Sequence, residues 1–248
     1  MPPAGAAGIF PSFDDERTGA MADEKADAGA ALRNYVTEFI GTFVFTFAVI
    51  GIVVAGADTC ATAVGIGAAL MVMVYASGHI SGGHLNPSVS IAAWLRGALP
   101  ARDLVPYIVA QLLGALAAFG VGFGLWHTRY FFGSGLNLTG HVWPAFLGEL
   151  VFTFALCYIV LQTATSKDIA GNSFYGLAIG FIVTVGVVAV GSISGGSFNP
   201  AITFGLMLPG IFAWKFLWVY LGSEVLGAII AALAFKLTSA PEHHSHKA

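Results

Sequence analysis

The chain has 248 residues, 57% hydrophobic and 9% charged, a balance that a domain wetted on all sides does not carry, so lipid is the expected solvent for most of it. A net charge of −3 without any basic cluster excludes an electrostatic footing for nucleic-acid binding. Cys60 and Cys157 stand far apart with no His or Cys at ligand spacing, which excludes a disulfide framework and a zinc site and leaves two free thiols.

Residues 1–31 are small, acidic and proline-bearing. Asp14, Asp15, Glu16, Asp23, Glu24 and Asp27 interrupt any apolar core of a cleavable signal, and the segment reads as a disordered cytosolic tail. Stretches of about twenty apolar residues, enough to cross roughly 30 Å of hydrocarbon, predict helices at 33–56, 62–82, 104–126, 143–163, 174–194 and 213–238. Two apolar pieces, 87–95 and 200–208, are too short to span and read as re-entrant half-helices. The expected fold is therefore an all-α membrane protein. Residues 32–238 are expected to form its membrane-embedded domain, with halves at 32–126 and 143–238, and 239–248 a second cytosolic tail.

Six crossings put both ends of the chain on one face. Arg17, Lys25, Arg33, Arg96, Arg102, Lys167, Lys236 and Lys247 fall on that face and Arg129 and Lys215 on the other, so the positive-inside rule places both termini in the cytosol.

The halves repeat each other. Ile80-Ser81-Gly82-Gly83 before Asn86-Pro87 recurs as Ile193-Ser194-Gly195-Gly196 before Asn199-Pro200, and Gln111-Leu112-Leu113-Gly114-Ala115 recurs as Glu224-Val225-Leu226-Gly227-Ala228. Glu38-Phe39 with Thr42-Phe43 is echoed by Glu149-Leu150 with Thr153-Phe154. An odd number of spans in each half makes the repeat an inverted one.

Proline starts each half-helix, because at the first helical position its missing N–H would go unpaired anyway. The glycines before it let backbone pack closely in extended, non-helical form. Irregular backbone at membrane depth survives only where protein buries it or it lines water. Segments 78–85 and 191–198, with Gly82, Gly83, His84, Gly195 and Ser197, are thus expected to line a wet path. Asn86 and Asn199 would offer amide N–H groups to a passing oxygen, and the half-helix N-termini would add partial positive charge against cations and protons.

These residues resemble the aquaporin or major intrinsic protein family over about 32–238. The likeness rests on His79-Ile80-Ser81-Gly82-Gly83-His84-Leu85-Asn86-Pro87, on Ser194-Gly195-Gly196-Ser197-Phe198-Asn199-Pro200-Ala201 and on the paired glutamates. With Ile108-Val109-Ala110-Gln111-Leu112-Leu113-Gly114, the stretch from His79 looks most like tonoplast-type members. The resemblance implies a homotetramer in lipid, with one pore per subunit for water and small neutral solutes, in the plasma membrane or a vacuole-like membrane, and no cofactor. It places a constriction at Asn86-Pro87-Ser88 and Asn199-Pro200-Ala201 and a second filter at Ile66, Val187, Gly196 and Ile202.

Two departures stand out. Ile202 lies where relatives commonly carry Arg, leaving an apolar quartet with neither donors nor charge, which implies a modest water rate and room for ammonia, urea or glycerol. Ser88 stands where alanine is usual and is expected to leave the Asn geometry intact. Thr203 and Tyr220 depart from the glycerol-channel pattern, so water remains the first expectation.

Glu38 and Glu149 read as acceptors for backbone N–H groups of the loops rather than as proton-coupling groups, with Glu224 a third carboxylate inside the spans. His84 reads as a neutral part of the pore wall and His79 as its flank. Asn137-Leu138-Thr139 fits a glycosylation acceptor on the non-cytosolic face, the tail Glu242-His243-His244-Ser245-His246 a weak incidental metal site at most, and Gly114, Gly120, Gly124 and Gly227 close helix packing. Two other functions share these features: a secondary transporter, also built from inverted repeats with broken helices, and a junctional protein with a closed pore.

Overall fold

The computed structural model describes residues 13–129 and 135–239, with side chains from residue 27 onward in the first helix. The order is α1 (Phe13–Ala55), α2 (Thr59–Ser81), α3 (Pro87–Arg96), α4 (Ala101–Trp126), α5 (Val142–Val160), α6 (Tyr175–Ser194), α7 (Pro200–Met207) and α8 (Leu217–Thr238). Among the described residues six helical stretches are long and apolar enough to cross a membrane: Asp27–Ala55, Thr59–Ser81, Ala101–Arg129, Val142–Thr165, Tyr175–Ser194 and Trp214–Thr238. The short α3 and α7 start at the two prolines, as their sequence requires.

The first helix begins well inside the segment expected to be a disordered tail. Residues 13–31 hold six alanines, and adding turns to a helix already nucleated by a span costs little. Residues 1–12, the C-terminal residues 240–248 and the histidine cluster there lie outside the described residues.

Among the spans α1 packs on α4, α2 on α6 and α5 on α8. Glycine sets two of these crossings at equivalent places in the repeats. A Cβ on Gly114 would run into the α1 backbone at Phe39 and Phe43, and one on Gly227 would lie 2.8 Å from the Leu150 carbonyl oxygen of α5. Gly120 and Gly124, expected to do the same, meet nothing within 4 Å and lie on the outward face of α4. The outer surface is apolar, with Leu113, Leu147, Phe181, Val188 and Leu233 exposed. Trp143, Trp214 and Trp218 are exposed at the ends of their helices remote from the chain termini, where an amphipathic ring suits the lipid–water boundary.

Candidate functional site

Each re-entrant loop leaves its span through a left-handed turn. Gly82 (φ 87°) and Gly195 (φ 93°) end α2 and α6, each donating its N–H back to the carbonyl four residues earlier, and Gly83 (φ 60°) and Gly196 (φ 69°) continue the turn. The backbone here is left-handed rather than extended as expected, and the glycines are needed for that reason. Leu85 (φ 51°) and Phe198 (φ 53°) share this conformation without being glycine, and both side chains are fully buried. A non-glycine residue held there is strained, so its surroundings must impose it.

The Leu85 and Phe198 carbonyls, turned by that conformation, meet the opposite loop. Asn199 Nδ2 donates to Leu85 O at 2.9 Å and Asn86 Nδ2 donates to Phe198 O at 2.9 Å. Each Asn also caps its own half-helix: Asn86 Oδ1 accepts from Ser88 N at 2.8 Å, and Asn199 Oδ1 accepts from Ala201 N at 2.9 Å. Ser88 therefore leaves the cap geometry intact, as expected, although its buried Oγ has no partner among the described residues. One N–H of each amide is committed across the loops, and the second is left for the lumen.

Two buried glutamates hold the strained backbone. Glu38 of α1 accepts from His84 N at 2.9 Å, Leu85 N at 2.7 Å, Ser81 Oγ at 2.7 Å and Gln111 Nε2 at 2.8 Å. Glu149 of α5 accepts from Ser197 N at 3.0 Å and Phe198 N at 2.7 Å. Tyr107 and Tyr220 donate to Ser81 O and Ser194 O at 2.8 and 2.6 Å, tying down the last carbonyls of α2 and α6. His84 Nδ1 lies 3.0 Å from Ser90 Oγ, whose hydroxyl donates to Asn86 O at 3.2 Å while it accepts from Gln111 Nε2 at 3.0 Å. With the serine hydrogen spent, His84 Nδ1 is the donor, and a neutral ring then presents a bare Nε2 lone pair.

Three cavities follow one another along this assembly. On the face of the chain termini lies a basin of about 700 Å³ lined by Gly82, His84, Arg96, Arg102, Asp103 and Val160, among others. His84 and Val160 also border the next cavity, about 10 Å³, where Gly83, Asn86, Ser197 and Asn199 form one polar side and Leu70, Leu156, Ile179 and Val183 the apolar side. That is the room of about one water molecule, the width of a single file. Phe45 and Ser197 are shared in turn with a chamber of about 200 Å³ toward the opposite face, lined by Ile66, Gly195, Gly196, Ile202, Leu206 and Phe212.

The sequence profile described as "Major intrinsic protein" matches residues 25–235. The chain belongs to that family. It is 35% identical over 216 residues to "Probable aquaporin NIP7-1" of Arabidopsis thaliana, covering 84% of this chain and 77% of the relative. It is 37% identical over 251 residues to "Aquaporin TIP2-1" of the same plant, covering 92% of each. The X-ray structure of the aquaglyceroporin from Plasmodium falciparum, at 24% identity, shares the fold with a TM-score of 0.68 over 84% of this chain and 96% of that one.

In this major intrinsic protein the four residues assigned to the second filter come together, though not equally. Ile66, Gly196 and Ile202 line the 200 Å³ chamber, whereas Val187 stands behind Gly196, where an added Cβ would sit 3.2 Å from Val187 Cγ2. Asn137 is exposed on the same side, its Oδ1 accepting from Thr139 N at 3.1 Å and Thr139 Oγ1 at 2.7 Å. Sequence reasoning missed Leu136, Ile211 and Phe212, which enter the chamber from loops: Leu136 N donates to Ile211 O at 2.7 Å, and the Phe212 ring stacks on Tyr220 at 4.8 Å. It also missed Tyr107, Ser90 and Thr203 as loop supports, although each pairs with its counterpart at the same offset as the glycine motifs.

Proposed function

We propose that this member of the family is a passive channel that conducts water and small uncharged solutes along the line of cavities past Asn86 and Asn199, and excludes ions and protons. The observation that carries the reading is the crossed pair of Asn amides beside a cavity one water wide that shares lining residues with wider spaces on both sides. Each amide retains one N–H for a passing oxygen. A water that accepts from both turns its own hydrogens away from the file, which breaks the chain a proton would need. The N-termini of α3 and α7 add positive potential at the same point, and no anionic side chain lines the 10 Å³ cavity to offset it.

The second filter of this proposal is the quartet Ile66, Val187, Gly196 and Ile202. Lacking the donors and charge of an arginine, it leaves water short of hydrogen-bond partners, so the water rate is modest, and it leaves room for other small uncharged solutes such as ammonia, urea or glycerol. The carboxylates Glu38 and Glu149 serve the pore by holding its loops. Both termini face the cytosol, Asn137 the other side, and four copies assemble, each with its own path. The names of the relatives and of the structural neighbour, aquaporin and aquaglyceroporin, support a water or small-solute path.

Stopped-flow light scattering on proteoliposomes tests the reading. Osmotic flux linear in the gradient with a low activation energy is expected, and Ile202→Arg should lower ammonia and urea rates relative to water. Saturable or proton-driven flux would point instead to a transporter, and no flux at all to a closed pore. Unchanged rates for every solute in Ile202→Arg would remove Ile202 from the filter.

A further inference from the structure

The two repeats differ at several buried positions, and one of these changes the support of the loop. In the first, Gln111 on α4 lends Nε2–H to Glu38 Oε2 and Ser90 Oγ. Its counterpart on α8 is Glu224, an acceptor type where the first repeat has a donor. Glu224 is fully buried. Its Oε1 accepts from Asn199 N at 3.0 Å and lies 2.8 Å from Thr203 Oγ1, while Oε2 has no partner among the described residues. The titratable groups packed around it are Glu149 and Cys157 on α5 and Tyr220 on its own helix, and none is basic.

A count of hydrogens decides its state. Three oxygen pairs run in series: Glu224 Oε1 to Thr203 Oγ1 at 2.8 Å, Thr203 Oγ1 to Ser197 Oγ at 2.7 Å, and Ser197 Oγ to Asn199 O at 3.1 Å. Each pair needs one hydrogen between its oxygens. The two hydroxyls supply two, and the Asn199 carbonyl supplies none. An ionised Glu224 would leave one pair as lone pair against lone pair and set a second buried negative charge beside Glu149, with no cation among the described residues packed on it to balance it.

We infer that Glu224 carries its proton and donates it to Thr203, so that Thr203 donates to Ser197 and Ser197 to the Asn199 carbonyl. Ser197 borders both the single-file cavity and the apolar chamber. With its hydrogen fixed on Asn199 O, it faces the lumen through a lone pair. Glu224 is thus a positioning residue that makes the last polar station before the apolar filter an acceptor, which favours solutes with N–H or O–H groups to give. The solute part of this inference rests on the channel reading; the protonation does not.

Infrared spectroscopy of the full chain in proteoliposomes, in H2O and D2O at neutral pH, tests it. The expected result is a carbonyl stretch from a protonated carboxyl that shifts on deuteration and is lost in Glu224→Gln. Thr203→Val, which removes the acceptor, should move the same band to higher frequency, and it answers the question should Glu224→Gln fail to fold. Glu224→Leu should reduce water permeability severalfold, with Glu224→Gln recovering most of it because an amide N–H again points at Thr203. No such band in the wild type, an undiminished band in Glu224→Gln, or an unmoved band in Thr203→Val overturns the assignment. A wild type that shows the band but no osmotic flux would instead remove the channel reading alone.

Discussion

Leu85 and Phe198 are ordinary apolar side chains in a conformation that glycine normally occupies, and the reason lies on other helices. Each N–H in that turn is taken by a glutamate, Glu38 in one repeat and Glu149 in the other, and each carbonyl is taken by the opposite asparagine. Removing Glu149 as Glu149→Leu would leave two buried N–H groups without acceptors, at about 1–3 kcal/mol each. The expected outcome is a large drop in the thermal midpoint in detergent, with the second half-helix misplaced. Ser88→Ala should act the other way, because it deletes a buried hydroxyl with no partner and keeps the Asn86 cap on the residue 88 N–H. A gain of about 1 kcal/mol, read as a raised midpoint, is expected. At this scale the starts of the half-helices were legible because the effect of proline on its own turn is local chemistry. The positive φ of Leu85 was not, because a carboxylate distant in sequence imposes it.

At the scale of elements, spans and half-helices follow closely from apolar length and from the two prolines: the expected 87–95 and 200–208 appear as Pro87–Arg96 and Pro200–Met207. Which glycines bring helices together could not be read the same way. Gly114 and Gly227 lie at the crossings of α4 with α1 and of α8 with α5, while Gly120, nearly two turns further along α4, faces outward. Composition marks all of them as small, and only the crossing geometry separates them. Gly227→Leu should therefore be destabilising by about 1–3 kcal/mol or more through overpacking against the α5 backbone. Gly120→Ala should be neutral or gain up to about 1 kcal/mol from helix propensity. Parallel thermal unfolding of the two variants checks the pair, and equal effects would contradict the packing described.

On the scale of the whole molecule, the inverted repeat makes the path. Two short helices approach the centre from opposite faces, and their loops trade hydrogen bonds so that neither half is complete without the other. The proposed four-copy assembly is tested at this scale: native mass spectrometry in mild detergent is expected to give four times the 25.7 kDa chain mass, and a monomer alone would count against it.

By itself the sequence determined the solvent, the number of crossings, the repeat and the family likeness, because hydrophobic length, proline and glycine act through the chain nearest them. It also raised the expectation that Glu38 and Glu149 accept from the loops, since the repeat pairs them and buried carboxylates need donors. Only the tertiary structure decided that Val187 stands behind Gly196, that Leu136 and Phe212 enter the chamber from loops, and that a run of oxygens leads from Glu224 through Thr203 and Ser197 to the Asn199 carbonyl. Those facts depend on distances between segments remote in sequence, and whether a polar atom finds a partner there is settled only when the chain has closed on itself.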